Sequence, residues 1–150
     1  MKKAVVFYSL TGNTKIIANL FEGYDQLEIT TNNDYPQSKD NKLVNVPDIF
    51  NYDELVFACP THGAKMAKPM INYMMQLESL KGKTIHVFIT HFFPYKWMGG
   101  TQTLKQFKKI IESKDGEVSQ MVSINWKSKY REKLILDMLE TFGVKKSADM

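Results

Sequence analysis

Near the start of this chain four uncharged hydrogen-bonding side chains crowd around one glycine. They are Ser9, Thr11, Asn13 and Thr14, about Gly12, in the run SLTGNT. No base stands beside these hydroxyls to activate one as a nucleophile, so the set offers donors rather than catalysis. It follows VVFY, a short apolar β-rich stretch, and precedes Ile17, Leu20 and Phe21 at helical spacing. A helix start presents unpaired backbone N–H groups and the positive end of its dipole. A glycine there lets the backbone close on an anion, and a phosphate is the natural ligand. Capping a helix requires one hydroxyl or amide side chain; this turn holds three hydroxyls and an amide.

Other phosphate loops are excluded by what is missing. The run does not end in Gly-Lys-Ser/Thr, and no G-x-G-x-x-G follows the first strand, which removes nucleoside-triphosphate loops and dinucleotide folds. Cys59 precedes PTHGAKM, without the arginine of a cysteine phosphatase loop, and stands where a receiver domain would need aspartate.

Positioning such a turn calls for alternating strands and helices. Strands are expected at 4–8, 26–30, 55–59, 84–90 and 118–124. LVFAC, residues 55–59, is unbroken apolar, as a strand covered on both faces should be. Helices follow from Ile17 to Phe21, from Pro69 through Met70, Tyr73, Met74 and Leu77, from a Thr101 cap through Leu104, Phe107 and Ile111, and from Ile135 to Phe142. This alternation argues for right-handed βαβ units in one domain of 150 residues. Residues 31–54 carry two prolines and no helical period, so an irregular connection is expected in place of the second helix.

Composition narrows the partners. One cysteine and three scattered histidines disfavour an internal disulfide and a zinc cage. The net charge is +4, but only one of the 20 basic residues, Arg131, is an arginine, so nucleic acid is not expected as a partner. No apolar run approaches membrane-span length, and the basic start MKKAVVFYSLTG lacks a signal peptide's long apolar stretch, so a cytoplasmic protein without a membrane partner is expected.

The run Ser9, Leu10, Thr11, Gly12, Asn13, Thr14 resembles the S/T-x-T-G-x-T signature of the flavodoxin family, and the resemblance extends over the chain. NYDELVFACPTHGAKMAKPM, residues 51–70, looks like that family's third strand and following loop; VFITHFFPYKWMGG, residues 87–100, looks like its fourth strand and second flavin loop. The resemblance implies a three-layer α/β sandwich, with a five-stranded parallel sheet of order 2-1-3-4-5 holding flavin mononucleotide (FMN). It implies that Ser9 to Thr14 bind the phosphate. Pro60, Thr61, His62 and Gly63 would form one wall of the ring site, and Thr90, His91, Phe92 and Tyr95 the other. Tyr95 matches the outer stacking ring, with Phe92, Phe93 and Trp97 as rivals. No catalytic and no metal-binding residue is assigned.

In one respect the chain departs from that family, whose members are typically acidic around the flavin. No Asp or Glu lies between Glu54 and Glu78 or between Glu78 and Glu112, and Lys65, Lys68 and Lys96 fall in those intervals. A basic rim suits a redox partner with an acidic docking face. Three functions stay open: a single-domain FMN electron carrier, a flavin-dependent reductase of a quinone-like small molecule, and a binding module without flavin. The chain shows no recognisable nicotinamide site, which favours the carrier.

Overall fold

Five parallel strands form the middle layer of the chain, whose computed structural model describes residues 1–63, 65–92 and 100–144. In chain order the elements are β1 (Lys3–Tyr8), α1 (Asn13–Ala18), β2 (Asp25–Ile29), β3 (Glu54–His62), β4 (Lys65–Met66) and α2 (Lys68–Met75). They continue with β5 (Thr84–His91), α3 (Gly100–Ser113), β6 (Val118–Asn125) and α4 (Arg131–Thr141). The parallel order is β2-β1-β3-β5-β6, and β4 pairs antiparallel with β3. Counting only the parallel strands, this is the expected 2-1-3-4-5 arrangement of a flavodoxin-like fold.

Strand alternation divides the core into two layers. Val6, Tyr8, Leu55, Phe57, Val87 and Ile89 pack with α2 and α3 residues such as Met70, Tyr73, Leu104 and Phe107. Val5, Phe7, Val56, Ala58 and Phe88 pack with Ile17 and Ala18 of α1 and with Ile135, Met138 and Leu139 of α4. Apolar residues on both sides of each central strand explain why LVFAC shows no polar alternation.

Residues 30–53 contain no helix, as expected, and side-chain amides supply much of their order. Asn45 accepts from Thr30 N and donates to Glu28 O, so its side chain copies a paired strand residue along the edge of β2. Asn41 Nδ2 donates to the Asn33 carbonyl and side chain, and Asn32 bonds Lys42 N and the Asp40 carbonyl. Ile49 and Tyr52 enter the core from this segment, and Lys83 Nζ donates to the carbonyls of Ile49, Phe50 and Tyr52 at 2.5–3.2 Å.

Two local expectations are corrected. Thr101 lies inside the first turn of α3, which already begins at Gly100, so it is not the cap. The third strand does not stop at Cys59 but runs to His62, then folds back through Gly63 so that Thr61 pairs Met66 and His62 pairs Lys65.

His86, on β5, is 6% exposed and stacks on Phe142 at 4.8 Å. Its Nδ1 has no hydrogen-bond partner among the described residues. Burial holds its pKa below the ordinary 6.5, with the Glu54 carboxylate partly opposing. The unfolded chain therefore binds the extra proton first as pH falls. The stabilising contribution is complete above about pH 6.5 and is lost as pH drops through the folded-state pKa. His86→Leu should flatten the fall in urea midpoint between about pH 7.5 and pH 5. An acid limb as steep as the wild type's would show that other groups carry it.

Candidate functional site

β1 leads to β2 on one side of the sheet, whereas β3 leads to β5 on the other, so the strand order reverses between β1 and β3. Beyond the carboxyl ends of strands at such a reversal, diverging connections leave a crevice where α/β proteins bind ligands. The topology brings three expected groups to this edge: Ser9–Thr14 after β1, Pro60–Gly63 at the end of β3, and Thr90–Phe92 at the end of β5. Tyr95, with its rivals Phe93 and Trp97, lies outside the described residues.

The first group is a turn that closes on its own serine. Ser9 Oγ accepts from Gly12 N at 3.1 Å and from Lys15 N at 3.3 Å, so Ser9 caps the third residue of α1 and keeps its hydroxyl proton to donate. Gly12 has φ +96°, a left-handed conformation that a side chain would strain, and no atom lies within 4 Å of where a Cβ would stand. The open space above it is what a close-approaching anion requires. Thr11 is exposed, Asn13 half-buried, and the amides of Asn13 and Thr14 donate to no acceptor among the described residues. No carboxylate occurs from Ser9 to Phe21.

Thr14 behaves differently. It is 1% exposed, and its hydroxyl lies 3.1 Å from that of Thr90, itself 3% exposed. That bond ties the phosphate-type turn to the end of β5, so two of the three groups share one rigid junction.

At the end of β3, His62 is half-buried, meets Tyr8 edge-on at 6.3 Å, and has Nδ1 3.4 Å from Gln37 Nε2. Burial pulls its pKa below the usual 6.5, so it is neutral at pH 7. Gly63 turns the hairpin at φ +63°, with open space about its Cα. A cleft of ≈570 Å³ opens beside it, lined by Gln37, His62, Gly63, Lys65, Lys68 and Gln106 among others. Across the site, His91 is buried and Phe92 is 44% exposed.

Three neighbours of the site were not anticipated. Tyr8, the last residue of β1, is buried against His62; its position immediately before Ser9 was the available signal. Burial raises the Tyr8 phenol pKa, as does the Asp34 carboxylate. Gln37 comes from the irregular connection, where no periodicity could have pointed to it. The basic segment after β6, residues 126–133, borders Phe92, which only the β5–β6 pairing reveals. Cys59 is fully buried, and that burial pushes its thiol up to about 12, leaving it an inert core residue. Among the described residues no cluster of His, Cys, Asp or Glu is placed to hold a metal, and no helix is long and apolar enough to cross a membrane.

The strand order and the layers of helices give the chain a flavodoxin-like fold. Solved structures agree. A Streptococcus pneumonia TIGR4 flavodoxin superposes with a TM-score of 0.67 at 22% identity, covering 95% of this chain and 94% of that one. A Fusobacterium nucleatum flavodoxin bound to flavin mononucleotide gives 0.62 at 15% identity, covering 97% and 100%. The Trp repressor binding protein from Bacillus subtilis gives 0.65 at 17% identity, covering 91% and 94%. No family model and no curated protein matches the chain.

The residues present fit a phosphorylated flavin. The first loop supplies free amides, hydroxyl protons and open space above Gly12, with no carboxylate to repel a dianion. Exposed Phe92 and the half-buried His62 ring supply flat surfaces at the ends of neighbouring strands.

Proposed function

We propose that this chain binds FMN at the carboxyl edge of its sheet and serves as an electron carrier between redox proteins. The observation that carries this reading is the Ser9–Thr14 turn. Its amides and hydroxyls open at the strand-order reversal, and Thr14 bonds it to the second loop. When bound, the flavin supplies one- and two-electron chemistry; the protein holds it and sets its surroundings. Ser9, Leu10, Thr11, Gly12, Asn13 and Thr14 hold the phosphate. Pro60, Thr61, His62 and Gly63 flank the ring on one side, and Thr90, His91, Phe92 and Tyr95 on the other. Lys65 and Lys68 beside the hairpin, with no carboxylate in that stretch, suit a partner with an acidic docking face.

The test is reconstitution. Purified protein incubated with FMN should take up one equivalent per chain with a perturbed visible spectrum, and should bind riboflavin far more weakly, because the phosphate anchor is missing. Equal affinity for both would remove the phosphate role from the SLTGNT turn. Sustained oxidation of NADH or NADPH with a quinone and no separate reductase would favour an enzyme over a carrier.

A further inference from the structure

The two edges of this sheet differ in charge. Where strands begin, acids and bases are mixed: Asp25, Asp53, Glu54, Glu112, Asp115 and Glu117 stand with Lys2, Lys3, Lys81, Lys83 and Lys114. Where strands end, Lys65 and Lys68 follow β3, and Lys127, Lys129, Arg131 and Lys133 follow β6. Glu132 is the one acid among residues 118–136. The excess of cations therefore lies where strands end, on the side of the candidate ligand loops.

The segment after β6 interleaves its cations with rings. Lys127 Nζ sits 5.7 Å from the centre of Phe92, Lys129 Nζ 5.1 Å from that of Tyr130, and the Arg131 guanidinium 4.3 Å from that of Trp126. Phe92 and Tyr130 are 44% and 59% exposed. Between them opens a cleft of ≈790 Å³ that includes Phe92, a residue of the second ring loop.

We propose that residues 126–133, together with Phe92, form the docking surface for a redox partner protein whose own contact face is acidic. This deepens the carrier reading and rests on it: the surface shares Phe92 with the ring site, so a partner seated there stands beside the flavin. Exposed rings among cations supply anchors of the kind that dominate protein interfaces, and four cations against one acid in residues 126–133 attract an approaching acidic face. The side chains favour carboxylates over nucleic acid. The sole guanidinium is stacked on Trp126 and donates Nη1 to its carbonyl at 2.8 Å, so it is held against its own chain, and the other cations of this surface are lysines. Lysines act as point charges, suited to a transient protein encounter.

The test uses the flavin-loaded protein, reduced anaerobically and mixed with ferric rubredoxin, an acidic iron protein, or with ferric cytochrome c, a basic one. Each electron leaving the reduced flavin converts one ferric iron to ferrous, so rates are read directly. At low salt the rubredoxin rate should fall ~10-fold or more in K127E/K129E/K133E, the difference vanishing near 0.5 M salt (about a 4 Å screening length), while the cytochrome c rate rises. The neutral K127Q/K129Q/K133Q should fall between, which separates charge from misfolding. A rubredoxin rate unchanged within about twofold by charge reversal, or a wild-type preference for cytochrome c, overturns the proposal. So does tighter binding to duplex DNA or to phosphatidylserine vesicles than to rubredoxin. If the chain takes up no flavin, the carrier reading fails; salt-dependent binding of the chain to rubredoxin, followed by NMR shifts at 126–133, then decides the surface separately.

Discussion

Asn13→Asp should weaken FMN binding ~30- to ~1000-fold without weakening the fold. The substitution is isosteric and puts a carboxylate on the first residue of α1. At any separation under about 8 Å from a phosphate dianion, and an effective dielectric of about 30–40, repulsion comes to about 2–4 kcal/mol. The same charge at a helix start is favourable to the helix by about 0.3–1 kcal/mol. Stability and affinity should therefore move in opposite directions, which no general unfolding effect would produce. Isothermal titration with FMN and with riboflavin reads the affinity, and a urea melt of the flavin-free protein reads the stability. Riboflavin, lacking the phosphate, should bind both proteins alike. FMN affinity held within about threefold would mean that the anion sits elsewhere.

Phe21→Ala should cost the fold about 3–5 kcal/mol, the usual range for emptying a buried phenylalanine site. Phe21 follows α1, is 2% exposed, and touches three rings. It stacks on Phe88 of β5 at 5.7 Å, meets Tyr24 edge-on at 5.4 Å and tilts against Phe142 beyond α4 at 6.3 Å. It thus holds the end of α1 against both the sheet and α4. With a urea slope of about 2 kcal/mol/M, the midpoint should drop by about 1.5–2.5 M. Phe21→Leu, which keeps most of the volume, should lose less than half as much. A loss for the alanine variant below about 1 kcal/mol would mean that the layer closes over the gap. Because α1 carries the phosphate-type turn at its other end, a folded Phe21→Ala protein should also bind FMN less tightly.

Much of this architecture was legible in the residues themselves. The unbroken apolar runs VVFY and LVFAC read as strands covered on both faces, and helical spacing through Met70, Tyr73 and Met74 reads as a helix facing them. The irregular course of residues 31–54 was equally readable, because prolines and asparagines remove the donors and the period that a helix requires. The donors of the SLTGNT turn, its glycine and its lack of a carboxylate are readable from composition alone.

Tertiary structure decided how those donors are used. Ser9 turned out to cap α1 with its oxygen, and Thr14 to spend its hydroxyl on Thr90, 76 residues away in the chain. Nothing local could indicate that pairing, since it follows from β5 lying two strands from β1 in the sheet. Likewise, Gln37 reaches His62 because the connection folds back along the carboxyl edge, and the basic run after β6 meets Phe92 because β6 pairs with β5. Local periodicity sets what each segment becomes, through the spacing of side chains that must leave water. Which hydroxyl faces which, and which charges share an edge, depends on strand order, and strand order is set by the packing of the whole chain.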